Sequence, residues 1–403
     1  MTRGIIVGFA AALVAAAQVA AQPPGQIGEL PDGPGKELLQ TVCFACHPAF
    51  NITGSAGYDT PAEWKAVFGT MVKLPESQAN TIATYLAEHY PARPDRKPTL
   101  VAGDTRIRFQ EWQAPTLGQR SRDPVEAVDG SIWWTGMWAS LVGRLDPATG
   151  AMEEFKLPIT ARPHSIVPAA DGSIWYTGNS NGTIGRLDPA TGEITQYTTQ
   201  AGDPHSATFH PNGKLYFTAQ NSNMLGMLDP RTGDLKEVQT EPRPYGIQVA
   251  RNGTLYVTYN GTNKIGAVDP ETLGVRYYEV PNAASRIRRL GIASDGMVWF
   301  VNSTQGKIGR LNPATGEIRE WDSPSGPRSS PYALAVIDDK VWYNESGMRP
   351  DTLVRFDPAT EQFQSWAIPS GVGIVRNMWV TRDGNLLIHQ SSSNKIGLVT
   401  IDE

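Results

Sequence analysis

One phrase recurs through the last three quarters of this chain. Gly-Arg-Leu-Asp-Pro-Ala-Thr-Gly starts at Gly143 and again at Gly185. Variants start at Gly226, Gly266, Gly309 and Val354, and a degenerate copy starts at Gly397. Successive starts are 42, 41, 40, 43, 45 and 43 residues apart. A period in the low forties, built of short strands and turn residues, is the mark of propeller blades. Within one unit, 164–169 reads as a first strand and Ser173–Thr177 as a second, joined by the Asp171-Gly172 turn. Thr183–Leu187 follows as a third strand. Asp188-Pro189-Ala190-Thr191-Gly192 is a tight turn, in which proline fixes φ and glycine accepts a positive one. Glu193–Thr198 is the fourth strand.

Counting copies gives seven blades over about 104–403. The last copy has no fourth strand after it, but a spare strand, Arg106–Trp112, precedes the first copy. It matches the blade-ending strand Met152–Leu157. We expect it to complete the last blade and to close the ring non-covalently.

The repeat also locates a site. The first strand of each blade should line the central channel. Seven residues before the Asp or Asn of each Asp-Gly-like turn stand Arg122, His164, His205, Tyr245, Arg288, Tyr332 and Arg376. None is small or aliphatic, and they should ring one mouth of the channel. Trp138, Asn179, Asn221, Asn260, Asn302 and Glu345 should come from the loops between second and third strands on the same face. A ring of Arg, His and Tyr suits an anionic or carbonyl-bearing small molecule. Such rings also serve simply to hold water and to satisfy backbone groups.

Ahead of the repeats lies Cys43-Phe44-Ala45-Cys46-His47, the C-x-x-C-H pattern of covalent haem attachment. Two thiols three positions apart can each bond one haem edge, and the adjacent histidine can bind the iron. The chain has two cysteines and both are here. A disulfide or dithiol pair would leave His47 unexplained, and a four-cysteine zinc site is excluded by the count. Thr60-Pro61-Ala62-Glu63 reads as a capping box opening a helix with Trp64, Val67, Phe68 and Met71 on one face. Glu76–Tyr90 reads as a second amphipathic helix carrying Ile82, Tyr85, Leu86 and His89. Met71 is the expected sixth iron ligand, with His89 or an open position as the alternatives. The fold class is thus multidomain: a small all-α cytochrome c domain at 36–93, then an all-β seven-bladed β-propeller at 104–403. Residues 22–35 and 94–103 read as linkers.

The start reads as a secretory signal peptide over 1–21. Arg3 is followed by the apolar run Ile5–Ala17 and small residues at Val19-Ala20-Ala21. No later stretch has the length of a membrane span. The expected protein is periplasmic or secreted, without a membrane span once the signal is removed. A net charge of -5 over 403 residues gives no reason to expect a nucleic-acid partner.

The units Arg162-Pro163-His164-Ser165-Ile166, Asp171–Thr177 and Ile184–Gly192 resemble the streptogramin B (virginiamycin B) lyases and their propeller relatives over roughly the last 300 residues. The resemblance implies a Mg²⁺-assisted elimination that opens a cyclic depsipeptide at its ester. Its site is an acidic residue, one position, then histidine at one blade's mouth, with a glutamate ending that blade's second strand. Asp203-Pro204-His205 matches the first part, but Ala219 stands at the glutamate position. His164 has Arg162 before it and Gly178 at that position. Glu345 occupies it in its own blade, where Tyr332 replaces the histidine. The candidate catalytic residues are therefore His205, His164, Asp203 and Glu345. The Trp64, Val67, Met71 and Tyr85-Leu86 pattern resembles small cytochrome domains attached to periplasmic dehydrogenases. Elimination needs no redox group, so the leading expectation is an exported electron-transfer protein carrying one haem c. Its propeller would bind a small molecule or a redox partner protein. A metal-assisted lyase with an accessory haem, and a non-catalytic binding scaffold, are the alternatives.

Overall fold

The computed structural model describes residues 30–46, 48–54, 57–371 and 373–402. The expected signal peptide, most of the 22–35 linker and His47 lie outside the described residues. Two parts follow one another: a helical module and a ring of seven four-stranded antiparallel sheets.

Among its described residues the module has four helices: α1 (Lys36–Cys43), α2 (Phe50–Thr53), α3 (Pro61–Phe68) and α4 (Glu76–His89). The α3 capping box forms as the sequence suggests, with Thr60 Oγ1 accepting from Glu63 N and Thr60 N donating to the Glu63 carboxylate. Trp64 and Val67 of α3 pack with Ile82, Ala83, Tyr85 and Leu86 of α4 and Leu39 of α1. The helical face does not reach Met71. The helix stops at Phe68, capped by Gly69, and Met71 sits in the following turn with its N–H on Phe68 O.

Each blade of the ring runs outward from its inner strand. Blade 2, for example, is Pro163–Pro168, Ile174–Gly178, Thr183–Leu187 and Ile194–Thr198 in that order. The recurrent glycine of the third strand has a steric cause. The aromatic side chain of the second strand lies flat across it, so a Cβ at Gly143 would stand 2.0 Å from Trp134 and one at Gly185 2.0 Å from Tyr176. The seventh blade is Trp379–Val380, Leu386–Gln390 and Lys395–Asp402, completed by Arg106–Gln113. That outermost pair runs antiparallel from Arg106 opposite Asp402 to Gln113 opposite Lys395. This pairing closes the ring through hydrogen bonds alone.

The module rests on the propeller face formed by the loops that lead into the inner strands. Gly118 N donates to Thr70 O at 3.0 Å, and Thr70 Oγ1 to Ser392 O at 3.4 Å. Arg96 donates to Gly347 O, Arg349 N donates to Arg96 O at 2.7 Å, and Asp95 pairs with Arg328. These partners belong to blades 1, 6 and 7. The connecting segment then runs down the outer strand of blade 6, exchanging hydrogen bonds through Val101 with Ser365 and through Thr105 with Gln364. Among the described residues no helix is long and apolar enough to cross a membrane.

Candidate functional site at the mouth of the ring

The ring residues are positioned by a device repeated around the axis. The second strand of blades 1 to 4 carries Thr135, Thr177, Thr218 and Thr258. Each hydroxyl reaches the next blade and donates to the carbonyl of its ring residue: Thr135 to His164, Thr177 to His205, Thr218 to Tyr245 and Thr258 to Arg288. Each of the last three also accepts an N–H from its own blade, from Ser165, Ser206 and Gly246. In blade 7 His389 takes this role. Its Nε2 accepts from Arg376 N at 2.8 Å, so its Nδ1 carries the proton and donates to Ser121 O at 2.7 Å. The inner strands of blades 1 to 6 break register at the ring residue, as between Pro163 and Ile166. Such a bulge lets two successive residues address the channel.

The seven predicted ring residues do meet at one mouth. His164 and His205 stack with ring centroids 3.6 Å apart, and His205 and Tyr245 at 4.4 Å. The Tyr245 and Tyr332 hydroxyls share a short hydrogen bond. The Arg288 guanidinium lies 4.3 Å over the Tyr332 ring, and Arg376 Nη1 donates to the Tyr332 hydroxyl at 3.2 Å. Arg122 is 4 % exposed, and its Nη1 reaches only the Met137 sulfur. One side of the mouth is aromatic and the other cationic.

A deeper layer escaped the reading of the sequence. It is formed by the residues that follow the ring positions, where Ser165, Ser206, Gly246 and Ala333 are small but Asp123 and Arg289 are charged. That contrast was the available signal. Arg289 crosses the channel. Its Nε donates to Arg376 O at 3.0 Å, Nη1 to Ser206 Oγ at 2.9 Å and Nη2 to Asp123 Oδ2 at 3.4 Å. It thereby joins blades 5, 7, 3 and 1. Asp123 is fully buried in a left-handed conformation (φ 43°), which Asp tolerates. Its Oδ1 has no partner.

Electrostatics follow from this crowding of cations. Burial, reinforced by Arg122 and Arg289, holds His164 well below the usual imidazole range, and the same causes hold His205 there. Both are neutral at pH 7. Burial alone would raise the Tyr332 phenol, but Arg288, Arg376 and Arg122 pull it down to about 6, while burial and Tyr332 push its partner Tyr245 up. Ser206 Oγ accepts from Arg289 and shares a hydrogen bond of 3.0 Å with His205 Nδ1. His164 Nδ1 has no hydrogen-bond partner and lies 4.0 Å from Asp123 Oδ2.

The two carboxylates suggested for catalysis are each engaged by neighbouring backbone N–H groups and hydroxyls. Asp203 accepts from the N–H groups of Asn221 and Ser222 and from the Ser222 hydroxyl, which ties down the loop above its blade. Glu345, fully buried, accepts from Ser323, Ser325 and Thr352. These residues do not fit a Mg²⁺ ion. Asp123, at the mouth, is paired with Arg289. Arg122, Arg288 and Arg376 would oppose a second positive charge, and Ala219 offers no ligand. Among the described residues no three His, Cys, Asp or Glu side chains group as a metal site.

In the module, Cys43 and Cys46 are free thiols joined by one turn, with Cys46 N on Cys43 O at 3.3 Å. Burial, with Cys46 nearby, pushes the Cys43 thiol up to about 11. Cys43, Phe44, Met71 and Leu74 all border the same apolar cluster. His89 packs on Tyr85 at 4.4 Å, and its buried Nε2 has no partner. Two cysteines on one turn and a thioether bordering the apolar cluster fit a covalently held haem in donor chemistry.

The family model described as the virginiamycin B lyase family matches residues 100–240 and 234–403. Among solved structures, a streptogramin B lyase is 26% identical, with a TM-score of 0.66 over 73% of this chain and 98% of its own. A catalytically inactive histidine-to-alanine virginiamycin B lyase from Staphylococcus aureus, solved with quinupristin, is 25% identical, with a TM-score of 0.65 over 73% of this chain and 99% of its own. Kuenenia stuttgartiensis hydrazine synthase, at 14% identity and a TM-score of 0.60 over 71% and 96%, shares the fold. No curated protein sequence matches the chain. From residue 100 onward the sequence repeat, the seven blades and the matched structures agree, and the chain belongs to the virginiamycin B lyase family.

Proposed function

We propose that this protein is an exported c-type cytochrome whose propeller receives a small molecule or a redox partner protein. One observation carries the reading: the module bearing Cys43, Cys46 and Met71 docks on the propeller face that holds the Arg–His–Tyr mouth, through Thr70 beside Met71. Cys43 and Cys46 would hold the haem, and His47 and Met71 would bind its iron. Bound there, the group supplies one-electron transfer. The chain's own part is to keep water from the apolar cluster, to seat the module against Gly118 and Ser392, and to present a cationic, partly aromatic mouth on the same face. The signal-like start supports a periplasmic or secreted site, where thioether attachment takes place.

The test is expression with export of the wild type and of Cys43→Ala and Cys46→Ala. The wild type should carry haem that survives denaturation and is reducible. Both variants should lose part or all of it. A wild type that stains for no covalent haem sinks the reading.

Family membership and the neutral imidazoles favour a second reading, a lyase of the virginiamycin B type. Its base would be one of the two neutral imidazoles, His164 or His205. Quinupristin incubated with the protein and followed by mass spectrometry decides it. Ring opening that His164→Ala or His205→Ala abolishes would make the haem accessory, and intact quinupristin removes the lyase.

A further inference from the structure

We infer that the mouth of the ring is a binding site for the carboxylate of a small organic acid, held between Arg122, Arg288 and Arg376 beside His164. The inference rests on the reading of the mouth as the receptor of an electron-transfer protein and names the class of molecule received. Its basis is an imbalance of buried charge. Arg120, Arg122, Arg288, Arg289 and Arg376 converge on one end of the channel; among the described carboxylates Asp123 pairs with Arg289, and Asp351, whose charged form burial disfavours, lies within reach of Arg376. Buried guanidinium groups demand a counter-charge and hydrogen-bond acceptors. Arg289 has both. Arg122, Arg288 and Arg376 each keep a buried Nε without a partner. His164 Nδ1, in the same wall and 2 % exposed at the residue, is also unpartnered. A carboxylate is planar, offers two acceptor oxygens and matches guanidinium forks in pairs. A cation is opposed by the same groups.

The mouth itself contains a substitute. The Tyr332 hydroxyl accepts from Arg376 and shares its proton with Tyr245, under the Arg288 guanidinium. In a field set by three arginines the phenol takes the role of internal anion. A carboxylate that engages the same guanidiniums relieves that demand, and Tyr332 takes up a proton. Anion binding and proton uptake are therefore coupled here. An ordinary surface arginine patch would show no such link.

The experiment is calorimetric titration of the full-length haem-loaded protein at pH 7 with sodium acetate. Acetamide, chloride and inorganic phosphate serve as comparison titrants. Runs in two buffers of different ionisation heat report protons taken up. Acetate should bind and acetamide should not. Arg376→Met and Arg122→Met should each weaken acetate by at least about tenfold, the scale of a lost charge-assisted hydrogen bond. Tyr332→Phe should tighten acetate and abolish the proton uptake, which a merely misfolded mouth could not do. Equal binding of acetamide, chloride as strong as acetate, phosphate preferred to acetate, or arginine variants that bind like wild type would each overturn the site. Haem reduction is recorded on the same samples. Reducible haem without acetate binding defeats this inference alone. Acetate binding in a protein without covalent haem defeats the electron-transfer reading alone.

Discussion

Replacing Asp123 by Asn tests the account of the channel most severely. Asn tolerates the left-handed backbone at this position as Asp does, so the substitution is nearly neutral for the chain path. What it removes is charge. Asp123 is fully buried and faces Arg289, which is 6 % exposed, across 3.4 Å. Breaking a buried pair from one side costs about 3–5 kcal/mol, because the other charge is left uncompensated. Here the stranded charge is a guanidinium beside Arg122 and Arg376, so the cost should sit at the upper end. Arg289→Met strands Asp123 instead, but it also removes one cation from a crowded group. It loses the bonds to Ser206 and to Arg376 O and should still cost less, about 3 kcal/mol. The double variant strands neither charge, so the cycle should give a coupling of about 1–3 kcal/mol. Against a typical total of about 5–15 kcal/mol, each single change is large. Urea unfolding of the four proteins at pH 7 measures this. An Arg289→Met variant less stable than Asp123→Asn, or additive single changes, would refute the reasoning.

Other outcomes follow from the same structure. His164, His205 and His389 are buried and neutral, each held below the usual range first by burial. The unfolded chain therefore takes protons first, and stability present above about pH 6.5 should fall as the pH drops, by up to about 1.4 kcal/mol per unit for each histidine. Urea midpoints that rise from pH 7 to 5.5 would contradict this. Gly118 has φ 65°, and a Cβ there would stand 3.1 Å from Met71 O, so Gly118→Ala should cost about 1 kcal/mol and loosen the module. Hydrogen exchange over 66–74 should then rise while that of blades 2 to 5 stays unchanged. In the haem-loaded protein, Met71→Ala should convert a low-spin visible spectrum to high-spin, and His89→Ala should not; the reverse result assigns the ligand to His89. Thr177→Val leaves His205 O and Ser165 N without their shared partner and should cost about 1–3 kcal/mol in thermal unfolding.

The blades were legible because each unit must bury a face it cannot bury alone, which forces a period and fixed turn chemistry onto the sequence. The ring positions could be read for the same reason: one offset from a repeated turn finds all seven. A carboxylate near a channel mouth, such as Asp203 or Glu345, looks the same in sequence whether it faces the axis or holds a loop. Here backbone N–H groups and hydroxyls claim both. Arg289 and Asp123 lie on different blades, 166 residues apart, and their pairing is a property of the closed ring alone. The end of α3 was misjudged because an apolar spacing of three and four continues past Gly69 to Met71, although the backbone does not.

The strand Arg106–Gln113 lies directly after the module in the chain, yet its partner Lys395–Asp402 comes almost last. During synthesis the first piece of the propeller must therefore wait unpaired until nearly the whole of the rest exists. Cys43 and Cys46 emerge well before that moment. Any chemistry on those thiols has a head start over closure of the ring, and the module can be finished while its platform is still open. Assembly of this protein has a built-in order, set by the position of one eight-residue strand.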